Sequence, residues 1–198
     1  MIVRVVAGLI VIVLAALAGF TLYVQAEADY RLETIADEGS PRALVLYHPS
    51  RDARFSEELS EAFAEGLIAE GFAVDRGALT GEAPAKPESY ALSGIVSNTF
   101  YLHPDWPTIR YLNRADFDGV AVAGLIGGNG STENAARIFR EKLTASGGDV
   151  IGVRQFWIYR PNDESRTNIP NRDIAVDMAR EFGVATAKAI RSPTESAD

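Results

Sequence analysis

Cysteine is absent from the 198 residues, which excludes disulfides, thiolate metal sites and cysteine nucleophiles. Histidine occurs only at His48 and His103, too few for a zinc centre built on histidine, so no metal is expected. Basic residues are in deficit: 19 Lys and Arg stand against 27 Asp and Glu, a net charge of −8. Such a chain has no basic face for nucleic acid, and no charge that would pull its soluble part flat onto anionic lipid. There is no Gly-x-Ser-x-Gly elbow and no motif around either histidine, which leaves a hydrolase without support.

What is present begins with hydrocarbon. From Ile2 to Val24 the only charge is Arg4. As a helix this run is about 35 Å long, enough to cross the apolar core of a bilayer. Residues 1–25 therefore read as a single-pass anchor that meets lipid through residues 2–24. A rival reading is a cleaved signal, with small residues at Ala26 and Ala28, although the run is longer than a usual signal core. Arg4 and the amino terminus favour N-inside, while Arg31 and Arg42 pull the other way. The balance leans to an extracytoplasmic domain.

Residues 26–41 are polar and acidic with a Gly39-Ser40-Pro41 breaker, and read as a helical stalk or linker. The segment 42–192 has the size of one domain, and 193–198 reads as a disordered tail. Within the domain, short unalternating apolar runs recur: ALVLY from Ala43, LSGIVS from Leu92, GVAVAGLI from Gly119. Such runs suit strands buried on both faces. Phe72–Asp75 and Val150–Tyr159 complete five. Amphipathic helices are expected after Ser56, over Trp106–Asn113, over Glu133–Ser146 and over Ile174–Ile190. Alternation of buried strands with helices predicts an α/β doubly wound parallel sheet covered on both faces. A ligand then binds beyond the carboxyl ends of the strands, where the strand order reverses.

Three loops leave those ends. The first runs from His48 to Ser56 into a helix N-terminus, where free amides and the dipole attract an anion. Ser50, Ser56, Arg51 and Arg54 could add hydroxyls and charge; the plain alternative is a capped helix start with exposed arginines. The third-strand loop, Ser97–Trp106, carries Thr99 with the aromatics Phe100, Tyr101 and Trp106. They would either stack on a flat ring or cover the sheet end. The fourth-strand loop, Gly127-Gly128-Asn129-Gly130, could bring bare backbone against a ligand, or simply turn a corner.

The stretch Ser93–Gly128, SGIVSNTFYLHPDWPTIRYLNRADFDGVAVAGLIGG, resembles the flavodoxin-like family of FMN proteins, and the order of elements agrees from about Arg42 to Ile190. The resemblance implies a five-stranded sheet of order 2-1-3-4-5 and FMN as cofactor. By position it implies phosphate contacts for Ser50, Arg51, Arg54 and Ser56. It places Thr99, Phe100, Tyr101 and Trp106 on one side of the flavin ring, and Gly127, Gly128, Asn129 and Gly130 on the other. The first loop departs from the family's Ser/Thr-x-Thr-Gly-x-Thr pattern: it is longer, lacks glycine and carries Pro49. His48 has no partner carboxylate that the sequence can place. Two functions remain open. One is a membrane-tethered flavoprotein transferring electrons, with NAD(P)H or a redox protein as donor and a quinone-like acceptor. The other is a flavin-less binding or assembly module of a membrane-associated complex.

Overall fold

The computed structural model describes residues 2–49 and 54–192. The chain runs α1 (Ile2–Val24), β1 (Leu32–Ala36), β2 (Arg42–Tyr47), α2 (Phe55–Ala69), β3 (Ala73–Ala78), β4 (Leu92–Phe100), β5 (His103–Pro104), α3 (Trp106–Arg114), β6 (Ala121–Gly128), α4 (Glu133–Ala145), β7 (Asp149–Trp157) and α5 (Asn171–Arg191).

Five strands pair in parallel in the order β3-β2-β4-β6-β7, which is the expected 2-1-3-4-5. Side chains alternate across β2. Ala43 and Val45 join the core under α2 and α5, while Leu44 and Leu46 join the core under α3 and α4. Strands buried on both faces have no polar side to show, which explains the unalternating runs. Helices α2 and α5 cross in near contact. A Cβ at Gly66 would lie 2.2 Å from the Arg180 carbonyl, and one at Gly183 would lie 2.2 Å from that of Phe63. Only hydrogen fits at that crossing.

The helical stalk expected over 26–41 is corrected. Residues 32–36 form β1, which pairs antiparallel with β3 at the sheet edge. Its side chains are exposed, so no apolar pattern marks it. Asp75 holds it instead: the buried carboxylate accepts from Thr34 Oγ1 (2.6 Å), Arg42 (2.9 Å) and Tyr90 Oη (2.9 Å). Burial pushes this carboxyl up, but those three donors outweigh it and hold it below the ordinary aspartate range. Tyr90, donating to it from partial burial, is pushed up to about 12. The two-residue β5 is a second addition, a hairpin partner of β4.

Helix α1 is the one candidate membrane span among the described residues, by length and composition. None of its residues is buried; only its last turn meets the domain. The tail expected at 193–198 lies outside the described residues.

Candidate functional site

The tips of β2, β4 and β6 converge on a cavity of about 520 Å³. The strand order reverses between β2 and β4, so the cavity stands at the switch point of the sheet. Its volume lies within the range of small-molecule sites. His48, Pro49 and Phe55 come to it from the first loop, Asn98–Phe100 from the third-strand loop, and Gly127–Asn129 from the fourth.

Beneath it lies a buried hydrogen-bond network. His48 and Asp105 are 2 % and 1 % exposed, and His48 Nδ1 is 3.0 Å from Asp105 Oδ2. The same Oδ2 accepts from the Asn98 backbone N–H (2.9 Å) and side-chain amide (3.1 Å). Oδ1 accepts from the Thr108 N–H (3.0 Å) and so caps α3. Asn98 also donates to the His48 carbonyl, at 2.9 Å. Burial pushes the Asp105 carboxyl up. The bonds from His48, Thr108 and Asn98 outweigh burial and hold it below the usual aspartate range. His48 Nε2 lies 3.1 Å from the Ala26 carbonyl. Both ring nitrogens thus stand within hydrogen-bond distance of an oxygen.

Ala26 belongs to the segment that ends α1, and its neighbours are fastened to the same end of the sheet. The buried Gln25 accepts from the Trp106 N–H (2.7 Å), and Glu27 meets Arg110 (3.1 Å) and the Gly81 N–H (3.0 Å). As a result Phe20, Tyr23 and Val24 of α1 form one wall of the cavity, with the Phe20 ring 6.5 Å from that of Phe100.

The expected site residues fall in different places. Ser50 and Arg51 lie outside the described residues. Arg54 is exposed, in a left-handed conformation (φ 61°), and pairs with Glu57. Ser56 is buried and donates to the His48 carbonyl (2.7 Å). Neither Arg54 nor Ser56 borders the cavity; Phe55, between them, does. Thr99 and Phe100 line it, and the Thr99 hydroxyl is buried with no hydrogen-bond partner among the described residues. Tyr101 points out, 70 % exposed, its ring 4.4 Å from that of Phe100. Trp106 lines a separate crevice with Gln25 and Arg110.

Gly127, Gly128 and Asn129 border the cavity, while Gly130 does not. The reason for the two glycines is internal. A Cβ at Gly127 would lie 3.2 Å from Phe55, and one at Gly128 would lie 2.6 Å from Thr132 Cγ2 and 3.0 Å from Thr99. The Gly128 and Asn129 carbonyls accept from the Ile158 and Tyr159 amides.

The hairpin joining β4 to β5 turns on two residues, Tyr101 and Leu102, with φ of 47° and 61°. A two-residue hairpin turn with both residues left-handed is normally Asn-Gly, and L-residues there cost roughly 1 kcal/mol each. Here the two positions carry large apolar side chains, and both point into solvent.

The residues that sequence reasoning missed are His48, Asp105 and Asn98, and the wall given by α1. The one local signal was Asp105 three residues before Thr108, with Pro107 between, a helix-start pattern. Its second role, holding His48 across 57 positions, has no local trace.

No family model and no curated protein matches the chain. Solved structures do. A flavodoxin from the domain Archaea superposes with a TM-score of 0.59 at 16 % identity, covering 77 % of this chain and all of that one. Flavodoxin 1 of Bacillus cereus gives 0.55 at 17 %, covering 75 % and 99 %. A WrbA-like flavodoxin of Agrobacterium tumefaciens gives 0.53 at 13 %, covering 77 % and 98 %. At such identities the likeness establishes a flavodoxin-like fold.

Proposed function

We propose that this is a membrane-tethered, flavodoxin-like protein that binds FMN and transfers electrons. Its donor would be NAD(P)H or a redox protein, and its acceptor a quinone-like molecule. The observation that carries this reading is the cavity at the switch point, bordered by the three loops that a flavin requires. The ring half of the site fits. Phe100 offers a face for stacking, Asn98 and Thr99 offer polar groups, and the Thr99 hydroxyl is an orphan that a ring heteroatom would satisfy with a small side-chain rotation. In that arrangement Asn98, Thr99 and Phe100 would hold one side of the flavin and the Gly127–Asn129 turn the other. FMN, when bound, supplies the one- and two-electron chemistry. The chain's part is to orient the ring, exclude water with Phe20, Phe55 and Phe100, and fix the cavity floor through the buried His48–Asp105 pair.

Retention of the anchor is supported by the end of α1. Gln25, Ala26 and Glu27 are hydrogen-bonded into the domain, so a peptidase acting near Ala26 or Ala28 would have to cut folded backbone. The extracytoplasmic placement follows Arg4 and the amino terminus, against Arg31 and Arg42.

The second reading, a flavin-less binding or assembly module, is favoured by one observation. At the phosphate end the described donors are already committed: Ser56 to the His48 carbonyl and Arg54 to Glu57. Glu57 and Glu58 sit in the first turn of α2, where they would repel a phosphate. The two readings separate on one preparation. Full-length protein purified in detergent should be yellow and release one FMN per chain on denaturation. A colourless protein that leaves the fluorescence of added FMN unchanged selects the second reading.

A further inference from the structure

We infer that the strand-tip face of the domain is seated on the bilayer from which α1 emerges, with the Tyr101-Leu102 hairpin tip and Trp106 in the interfacial layer. This rests on the reading of α1 as a membrane span, and not on FMN. Four observations carry it. First, α1 touches the domain only through its last turn: residues 2–20 are exposed, and the contacts begin at Phe20. From Ile2 to Phe20 a helix rises about 28 Å, close to the thickness of a hydrocarbon core. The membrane surface therefore falls at the level of Phe20–Gln25, which is the level of the cavity.

Second, the side chains that surround this level are those of a membrane interface. Tyr101, Leu102 and Trp106 are 70 %, 55 % and 47 % exposed, and Tyr23 of α1, on the cavity wall, is exposed as well. Tyrosine and tryptophan, apolar bodies with a polar tip, concentrate at that depth. Third, the hairpin tip holds two large residues in left-handed conformations that its own fold does not need. Asn-Gly would make the same turn without strain. A contact outside the domain explains why Tyr and Leu stand there. Fourth, among the described residues two ion pairs stand at this end, Arg110 with Glu27 and Arg160 with Glu133. The partner is thus recognised by apolar insertion, and anionic headgroups are not required.

The consequence is that the cavity opens at headgroup depth, so that its ligands exchange beside lipid. The test uses tryptophan, which the chain has only at positions 106 and 157. Full-length protein, its Trp106→Phe variant and its Trp157→Phe variant are reconstituted in phosphatidylcholine liposomes with bromine placed shallow or deep on the acyl chains. The difference between wild type and Trp106→Phe isolates the Trp106 signal even where Trp157→Phe folds poorly. Shallow bromine should quench Trp106 at least about twofold more than deep bromine, in zwitterionic lipid and in high salt, and aqueous iodide should quench it little. Replacing Tyr101-Leu102 by Asn-Gly should lower the bromine quenching while the chain stays folded. Liposome flotation separates the two readings. A chain that floats but whose Trp106 is quenched by iodide and not by bromine overturns the seating alone. A chain that does not float overturns the span and the seating together. Visible absorption of the same samples reports flavin independently.

Discussion

The first loop and the third-strand loop approach the same cavity and are built in opposite ways. In the first, two described polar groups turn inward, Ser56 bonding its own loop and His48 locked to Asp105, while Arg54 pairs with Glu57 in solvent. In the third, apolar groups turn outward, with Tyr101 and Leu102 displayed on a strained two-residue turn. One loop has spent its chemistry on its own architecture. The other carries exposed surface that its architecture does not require. A functional reading should therefore rest on the third-strand loop and the fourth-strand turn, and treat the first loop mainly as scaffold.

The largest effect that would break this contrast is at Asp105. It is buried, accepts four hydrogen bonds and faces His48, so Asp105→Ala should cost about 3–5 kcal/mol, read as a shift of the urea midpoint of the full chain. The same residue sets a pH dependence. Its folded pKa is depressed, so its contribution is complete above the unfolded value of about 3.9 and is lost as pH falls through the folded value. Wild-type stability should drop below about pH 4, and Asp105→Asn should flatten part of that slope. Asp75, Glu133 and Asp163, also depressed, contribute to the same limb. An unchanged acid limb in Asp105→Asn would detach the pair from stability.

A smaller effect is expected at the fourth-strand turn. Gly128→Ala drives a methyl into Thr132, whose hydroxyl is fixed by bonds to Gln155 (2.7 Å) and from Trp157 Nε1 (2.8 Å). Overpacking of this kind costs about 1–3 kcal/mol, and Gly127→Ala, against the more yielding contact with Phe55, should cost less. Equal thermal shifts for the two variants would show that the turn adjusts freely. The smallest effect belongs to the first loop. Because Arg54 is exposed and paired with Glu57, Arg54→Ala should leave FMN binding within about threefold of wild type and riboflavin binding unchanged. A selective tenfold loss of FMN would return this arginine to the phosphate.

The parallel sheet was legible because strands buried on both faces leave continuous apolar runs, as in ALVLY and GVAVAGLI. The edge strand was not, since Leu32–Ala36 is exposed and depends on Asp75, 41 positions from Thr34. Thr99, Phe100 and the Gly127–Asn129 turn could be placed at the site because topology puts those strand ends together. The fastening of His48 to Asp105, and of the α1 end to the strand tips, joins segments 57 to 81 positions apart, and no local pattern records it.

The central claim is that three strand-tip loops form one flavin slot. Hydrogen exchange of the full-length chain, with and without saturating FMN, tests it directly. The account predicts slower exchange confined to the backbone amides of 98–100 and 127–129. Unchanged exchange at those amides, or protection elsewhere on the sheet, would contradict it.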